Sequence, residues 1–111
     1  DELSVSGTTR VVELKDGRLA VYDISPEQVG LEPAGDGAVA AGTPDQNARV
    51  LRDVLGGQHG TERSLALFNA GAAIYVGGLV DSLAAGVERA QEAIDSGAAA
   101  EVLDSYLERA R

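Results

Sequence analysis

At 111 residues, 44% hydrophobic but with only three Tyr and one Phe, the chain has length for one domain or a large piece of one. Its core must be built mainly from Ala, Val, Leu and Ile. Eighteen acids against nine bases give a formal net charge of -9, which argues against a nucleic-acid groove or an anionic membrane as partner. The absence of Cys excludes disulfides, thiolate metal ligands and a cysteine nucleophile. No apolar run approaches the roughly 18 to 20 residues of a membrane span, and no basic region followed by an apolar stretch opens the chain. A soluble, cytoplasmic segment is the expectation.

The chain opens "DELSVSGTTRVVELKDGRLAVYDI", and within it two β-rich runs flank Asp16-Gly17. That dipeptide supplies the two positive φ values of a type I′ turn, so residues 9–24 are predicted to form a hairpin. A two-residue loop sets Leu14 opposite Leu19 and Val12 opposite Val21 on one face, with Val11 and Tyr22 on the other. Both faces are partly apolar, so the ribbon is expected to be packed on each side, at the margin of a larger sheet.

Two helix starts follow. Ser25-Pro26-Glu27-Gln28 and Thr43-Pro44-Asp45-Gln46 each place an N-cap, Pro at N1 and Gln at N3. The first helix ends near Gly30. The second runs to Leu55 with Ala48, Leu51, Val54 and Leu55 on one stripe, closed by Gly56-Gly57. Between them "LEPAGDGAVAAG" has no usable period and reads as a loop. From Thr61, "TERSLALFNAGAAIYVGG" is apolar nearly all round, which predicts a buried helix with close backbone approach at Ala70, Gly71, Ala73 and Gly77. Asn69, its one polar interior residue, reads as an amide satisfied by neighbouring backbone. A fourth helix carries Leu83, Val87, Ala90 and Ile94 inward. After Ser96-Gly97 a fifth presents Val102, Leu103, Tyr106 and Leu107. Tyr22, Leu65, Phe68, Ile74, Tyr75, Val87, Ile94 and Leu103 are the expected core.

Chemistry-bearing residues are few. His59, the only histidine, sits in "GGQHGTE" ahead of a helix and reads as solvated loop. No Walker or dinucleotide glycine loop is present, and a single His offers no nucleophile, base and acid grouping. Asp1 and Glu2 stand first, with no initiator Met before them. Oxygen ligands of this kind suit Mg²⁺, which takes one or two carboxylates and completes its shell with water and phosphate. On composition alone, however, the pair reads as solvated surface before it reads as a metal site. No complete active site is expected in this segment.

Three stretches in order, "DELSVSGTTRVVELKDG", "NARVLRDVLGGQHGTERSLALFNAGAAIYVGG" and "DSLAAGVERAQEAIDSGAA", resemble the C-terminal third of the anthranilate phosphoribosyltransferase family. The resemblance implies that residues 1–111 are the C-terminal portion of an α/β catalytic domain of the nucleoside phosphorylase and phosphoribosyltransferase type, a β-hairpin followed by a mostly helical segment. It implies transfer of phosphoribosyl from phosphoribosyl pyrophosphate to anthranilate, with Mg²⁺ as cofactor and Asp1 and Glu2 as metal ligands. It further implies that the chain starts in mid-motif. The family's Gly-Thr-Gly-Gly-Asp loop, its Lys-His-Gly-Asn segment and a helical domain that makes a homodimer would then lie upstream, leaving the isolated segment inactive. A pyrimidine nucleoside phosphorylase-like enzyme and a non-catalytic acidic interaction module are the competing readings.

Overall fold

The computed structural model describes residues 2–40 and 42–111. Strands β1 (Thr9–Lys15) and β2 (Arg18–Ile24) pair antiparallel through the two-residue turn, with Asp16 at φ 52° and Gly17 at φ 75°. Positive φ at both central positions matches the twist of the ribbon, which is why Asp-Gly closes it. The register sets Leu14 against Leu19, Val12 against Val21 and Val11 against Tyr22. A 3₁₀ turn (Pro26–Val29) follows, its Ser25 N–H donating to Gln28 Oε1 at 2.7 Å and its end reversed at Gly30, φ 79°. Residues 31–40 form no helix or strand.

Helix α1 (Pro44–Leu55) opens with a complete capping box. Thr43 Oγ1 accepts the Gln46 N–H at 3.2 Å and Gln46 Oε1 accepts the Thr43 N–H at 2.9 Å. Helices α2 (Thr61–Val76), α3 (Leu83–Asp95) and α4 (Ala98–Ala110) complete the chain. α2 and α3 form the main helix pair, and they meet backbone to backbone at two glycines. A Cβ on Gly71 would stand 2.6 Å from the Val87 nitrogen, and one on Gly86 would collide with the Gly71 carbonyl. Around this crossing lies the core: Val5, Ile24, Val29, Leu31, Val54, Leu67, Phe68, Val87, Ala90 and Ile94. Phe68 is fully buried.

Element order and type follow the sequence expectations, including the loop and the four helices after it. Burial departs from them in several places. Phe68, Val87 and Ile94 are buried, whereas Tyr22, Leu65, Ile74, Tyr75 and Leu103 are only half-buried. The hairpin is packed on one side alone: Val11 and Tyr22 lean on the core, while Val12, Leu14, Leu19 and Val21 are 63–72% exposed. Among the described residues the sheet has two strands, so nothing covers that outer face. α2 is not buried all round, since Val76 is 83% exposed and Ala70 and Ala73 face outward. On α1, Ala48 and Leu51 are exposed and only Val54 is buried. On α4, Leu103 and Leu107 turn inward, but Val102 and Tyr106 point to solvent.

Candidate metal site and its surroundings

Asp1 lies outside the described residues, so the carboxylate pair is represented by Glu2. Glu2 is exposed and lines an open cleft of about 380 Å³ between α1, α2 and the opening segment, together with Asn47, Val54, Glu62, Leu65 and Asn69. Among the described residues Glu2 makes no ion pair, and no group of three His, Cys, Asp or Glu side chains is gathered. A carboxylate with no ion-pair partner among the described residues, lining an open cleft, fits Mg²⁺, which keeps most of its water and takes few protein oxygens. It would not fit zinc, which wants a closed set of nitrogen and sulfur donors.

The backbone that carries Glu2 is pinned at successive residues. Asn69 Oδ1 accepts the Leu3 N–H at 2.9 Å, and Asn69 Nδ2 donates to the Leu3 carbonyl at 3.0 Å and to the Leu65 carbonyl at 3.1 Å. The Ser4 N–H donates to Thr9 Oγ1 at 3.0 Å. Val5 is buried, and its carbonyl accepts the Ala34 N–H at 2.8 Å. Asn69 is therefore satisfied by backbone, as its place in an apolar helix requires. Part of that backbone lies 66 residues away in the chain.

Two further polar groupings brace the scaffold, and the sequence patterns single out neither. The Tyr22 hydroxyl donates to Glu13 Oε1 at 2.8 Å, the Tyr75 hydroxyl donates to Glu13 Oε2, and Lys15 Nζ lies 5.4 Å from the Tyr75 ring centre. This joins the inner face of the hairpin to α2. The two phenol donors, Tyr75 foremost, hold the Glu13 carboxyl below its ordinary value. Burial and then the Glu13 carboxylate push Tyr22 up to about 12, and the same carboxylate raises Tyr75. The second grouping is Arg63, 3% exposed, whose Nη2 donates to Asp95 Oδ1 at 2.9 Å while its buried Nη1 has no partner among the described residues.

His59 is exposed in the loop before α2, consistent with a solvated role. Glu62, in the first turn of α2, shares the cleft with Glu2. Its sequence position signals only a favourable end of the helix dipole, so nothing in the pattern points to the cleft.

Residues 1–100 match the glycosyl transferase family, a/b domain. An anthranilate phosphoribosyltransferase of Haloarcula marismortui is 47% identical over 108 residues, covering 96% of this chain and 33% of that protein. One from Methanobrevibacter smithii is 44% identical over 108 residues, covering 97% of this chain and 32% of that protein. The crystal structure of anthranilate phosphoribosyltransferase from Thermus thermophilus superposes with a TM-score of 0.88 at 37% identity, over 97% of this chain and 32% of that one. A Saccharomyces cerevisiae anthranilate phosphoribosyltransferase variant with Mg bound gives 0.85 at 26% identity, again over 97% and 32%. The chain thus spans about a third of the length of the relatives it matches. The matched family is one of transferases.

Proposed function

The chain belongs to the glycosyl transferase family, a/b domain, and from that premise we propose that it is the C-terminal portion of an anthranilate phosphoribosyltransferase. The observation that carries this reading is that relatives of this one activity match nearly the whole chain, in sequence and in fold. The reaction moves phosphoribosyl from phosphoribosyl pyrophosphate to the amine of anthranilate, giving N-(5-phosphoribosyl)anthranilate and pyrophosphate in tryptophan biosynthesis. On this reading the protein is cytoplasmic and dimerises through a helical domain outside the chain.

Asp1 and Glu2 hold Mg²⁺ on this reading, and a relative carrying bound Mg supports the choice of ion. The bound ion supplies charge neutralisation where pyrophosphate departs. The chain's own contribution is placement. Glu2 offers its carboxylate at the rim of an open cleft, free of any competing cation among the described residues. Helix α2 holds the opening segment that carries it, through the Asn69 amide and the Leu3 peptide. Phosphate must be cradled by groups outside this chain, because no glycine-rich phosphate loop lies within it. The isolated chain is therefore expected to be inactive.

Steady-state kinetics of the full-length protein test this reading with anthranilate and with a pyrimidine nucleoside as competing substrates. Turnover of anthranilate, dependent on Mg²⁺ and reduced by about 100-fold or more in an Asp1→Ala, Glu2→Ala double variant, is the expected result. Phosphorolysis of the nucleoside without anthranilate turnover would replace the assignment by the phosphorylase alternative.

A further inference from the structure

We infer that Asn69 is a positioning residue for the metal site, fixing through the Leu3 peptide where the Glu2 carboxylate stands. The inference rests on the reading of Asp1 and Glu2 as Mg²⁺ ligands, and what carries it is the hydrogen bonding of a single side chain.

Asn69 engages both polar groups of Leu3, the residue next to Glu2, accepting its N–H and donating to its carbonyl. One bond would leave the backbone free to pivot. Two bonds from a planar amide fix both the distance and the orientation of the main chain at that residue. The third bond, to the Leu65 carbonyl one helical turn back, locks the amide itself. It also settles which end is nitrogen, since a flipped amide would aim its oxygen at two carbonyls and its N–H₂ at an N–H donor.

Only a primary amide on a short stem supplies an acceptor and two donors from one place. An Asp lacks the donors, and a Ser lacks the reach and the second donor. An apolar residue at this position would pack as well against Leu3 without directing its peptide. Glu2 and Asn69 also line the same cleft, so the clamp sits directly behind the proposed ligand. Partners that orient metal ligands in this indirect way commonly govern metal affinity by about 10- to 100-fold.

The test uses the full-length protein with Mn²⁺ as a paramagnetic substitute for Mg²⁺, its binding followed by electron paramagnetic resonance in the presence of inorganic pyrophosphate. The variants are Asn69→Ala, Glu2→Ala and Leu67→Ala, the last a buried residue of the same helix that serves as a stability control. Asn69→Ala is expected to weaken Mn²⁺ binding about 10- to 100-fold and to raise the Mg²⁺ concentration for half-maximal turnover by a similar factor. Saturating Mg²⁺ should restore kcat, and Leu67→Ala should shift neither quantity.

If Asn69→Ala does not fold, Asn69→Leu, which fills the same space without the amide, carries the same expectation. Unchanged Mn²⁺ binding in the Asn69 variant beside a loss in Glu2→Ala would overturn the positioning role and leave the metal reading standing. An equal loss in Leu67→Ala would also overturn it, because general loosening of the helix would then suffice. Normal Mn²⁺ binding by Glu2→Ala would remove the metal reading and the inference with it.

Discussion

Gly86→Ala tests whether the α2–α3 crossing is set by backbone contact. On helix propensity alone the change should stabilise α3 by about 1 kcal/mol, since Ala is the best helix former and Gly among the worst. The structure predicts the opposite sign. The new methyl would collide with the carbonyl of Gly71, a backbone atom that cannot swing away as a flexible side chain would. The helices must part by a fraction of an ångström to about one, and contacts around Phe68, Val87 and Ala90 would each lose a quarter to a half of their dispersion energy. Overpacking of this kind costs about 1 to 3 kcal/mol and sometimes more. Set against the propensity gain of about 1 kcal/mol, a net destabilisation of up to about 2 kcal/mol is expected. Urea unfolding followed by circular dichroism should show the midpoint falling, by up to about 2 M, at unchanged slope. A midpoint equal to or above that of the parent would refute the close crossing, because propensity would then have prevailed unopposed.

Phe68→Ala, at a fully buried site, should cost about 3 to 5 kcal/mol in the same assay, and a loss below about 1 kcal/mol would place the ring outside the core. The Glu13 carboxyl is lowered in the folded state, so its contribution is complete above the ordinary value of 4.5 and is lost as pH falls below it; Glu13→Gln should flatten that acid limb of the stability profile. Tyr22 is raised to about 12, so its contribution is complete below the ordinary value of 10.0 and is lost as pH rises towards 12; phenolate absorbance during alkaline titration should show a last step near 12, beyond that of the also raised Tyr75, which disappears in Tyr22→Phe. Asp95→Ala should destabilise by about 2 kcal/mol by leaving the Arg63 charge buried without a counter-charge, whereas Arg63→Met should lie within about 1 kcal/mol of the parent; equal losses in the two would contradict the burial of Arg63.

Local chemistry was legible in the sequence because it is written over a few adjacent residues. Asp16-Gly17 dictates a tight turn wherever it is placed, and the turn dictates the register of the strands on either side. Thr43 and Gln46 satisfy each other's backbone within one turn, so the start of α1 needs no tertiary help. Coverage was not legible. Alternation shows that Val12, Leu14, Leu19 and Val21 share a face, but nothing in a period of two says whether anything lies on that face. The same holds for Val102 and Tyr106 on α4. The apolar character of α2 suggests burial all round, yet much of it comes from Ala residues, which a helix carries on an exposed face at almost no cost.

The candidate site divides along the same line. Asp1 and Glu2 gain meaning only as part of a longer motif, since two adjacent acids are common on any surface and Mg²⁺ imposes no distinctive spacing on so few ligands. Asn69 was legible as a satisfied polar residue, because an unsatisfied amide inside an apolar helix costs about 1 to 3 kcal/mol. Its partner was not legible. Leu3 presents to Asn69 only the N–H and carbonyl that almost every residue possesses, so no side-chain pattern at position 3 could have announced the contact. Contacts of a side chain with distant main chain leave a signal at one end alone. A lone polar residue on an otherwise apolar helix is that signal, and it marks where a loop must be held without saying which loop.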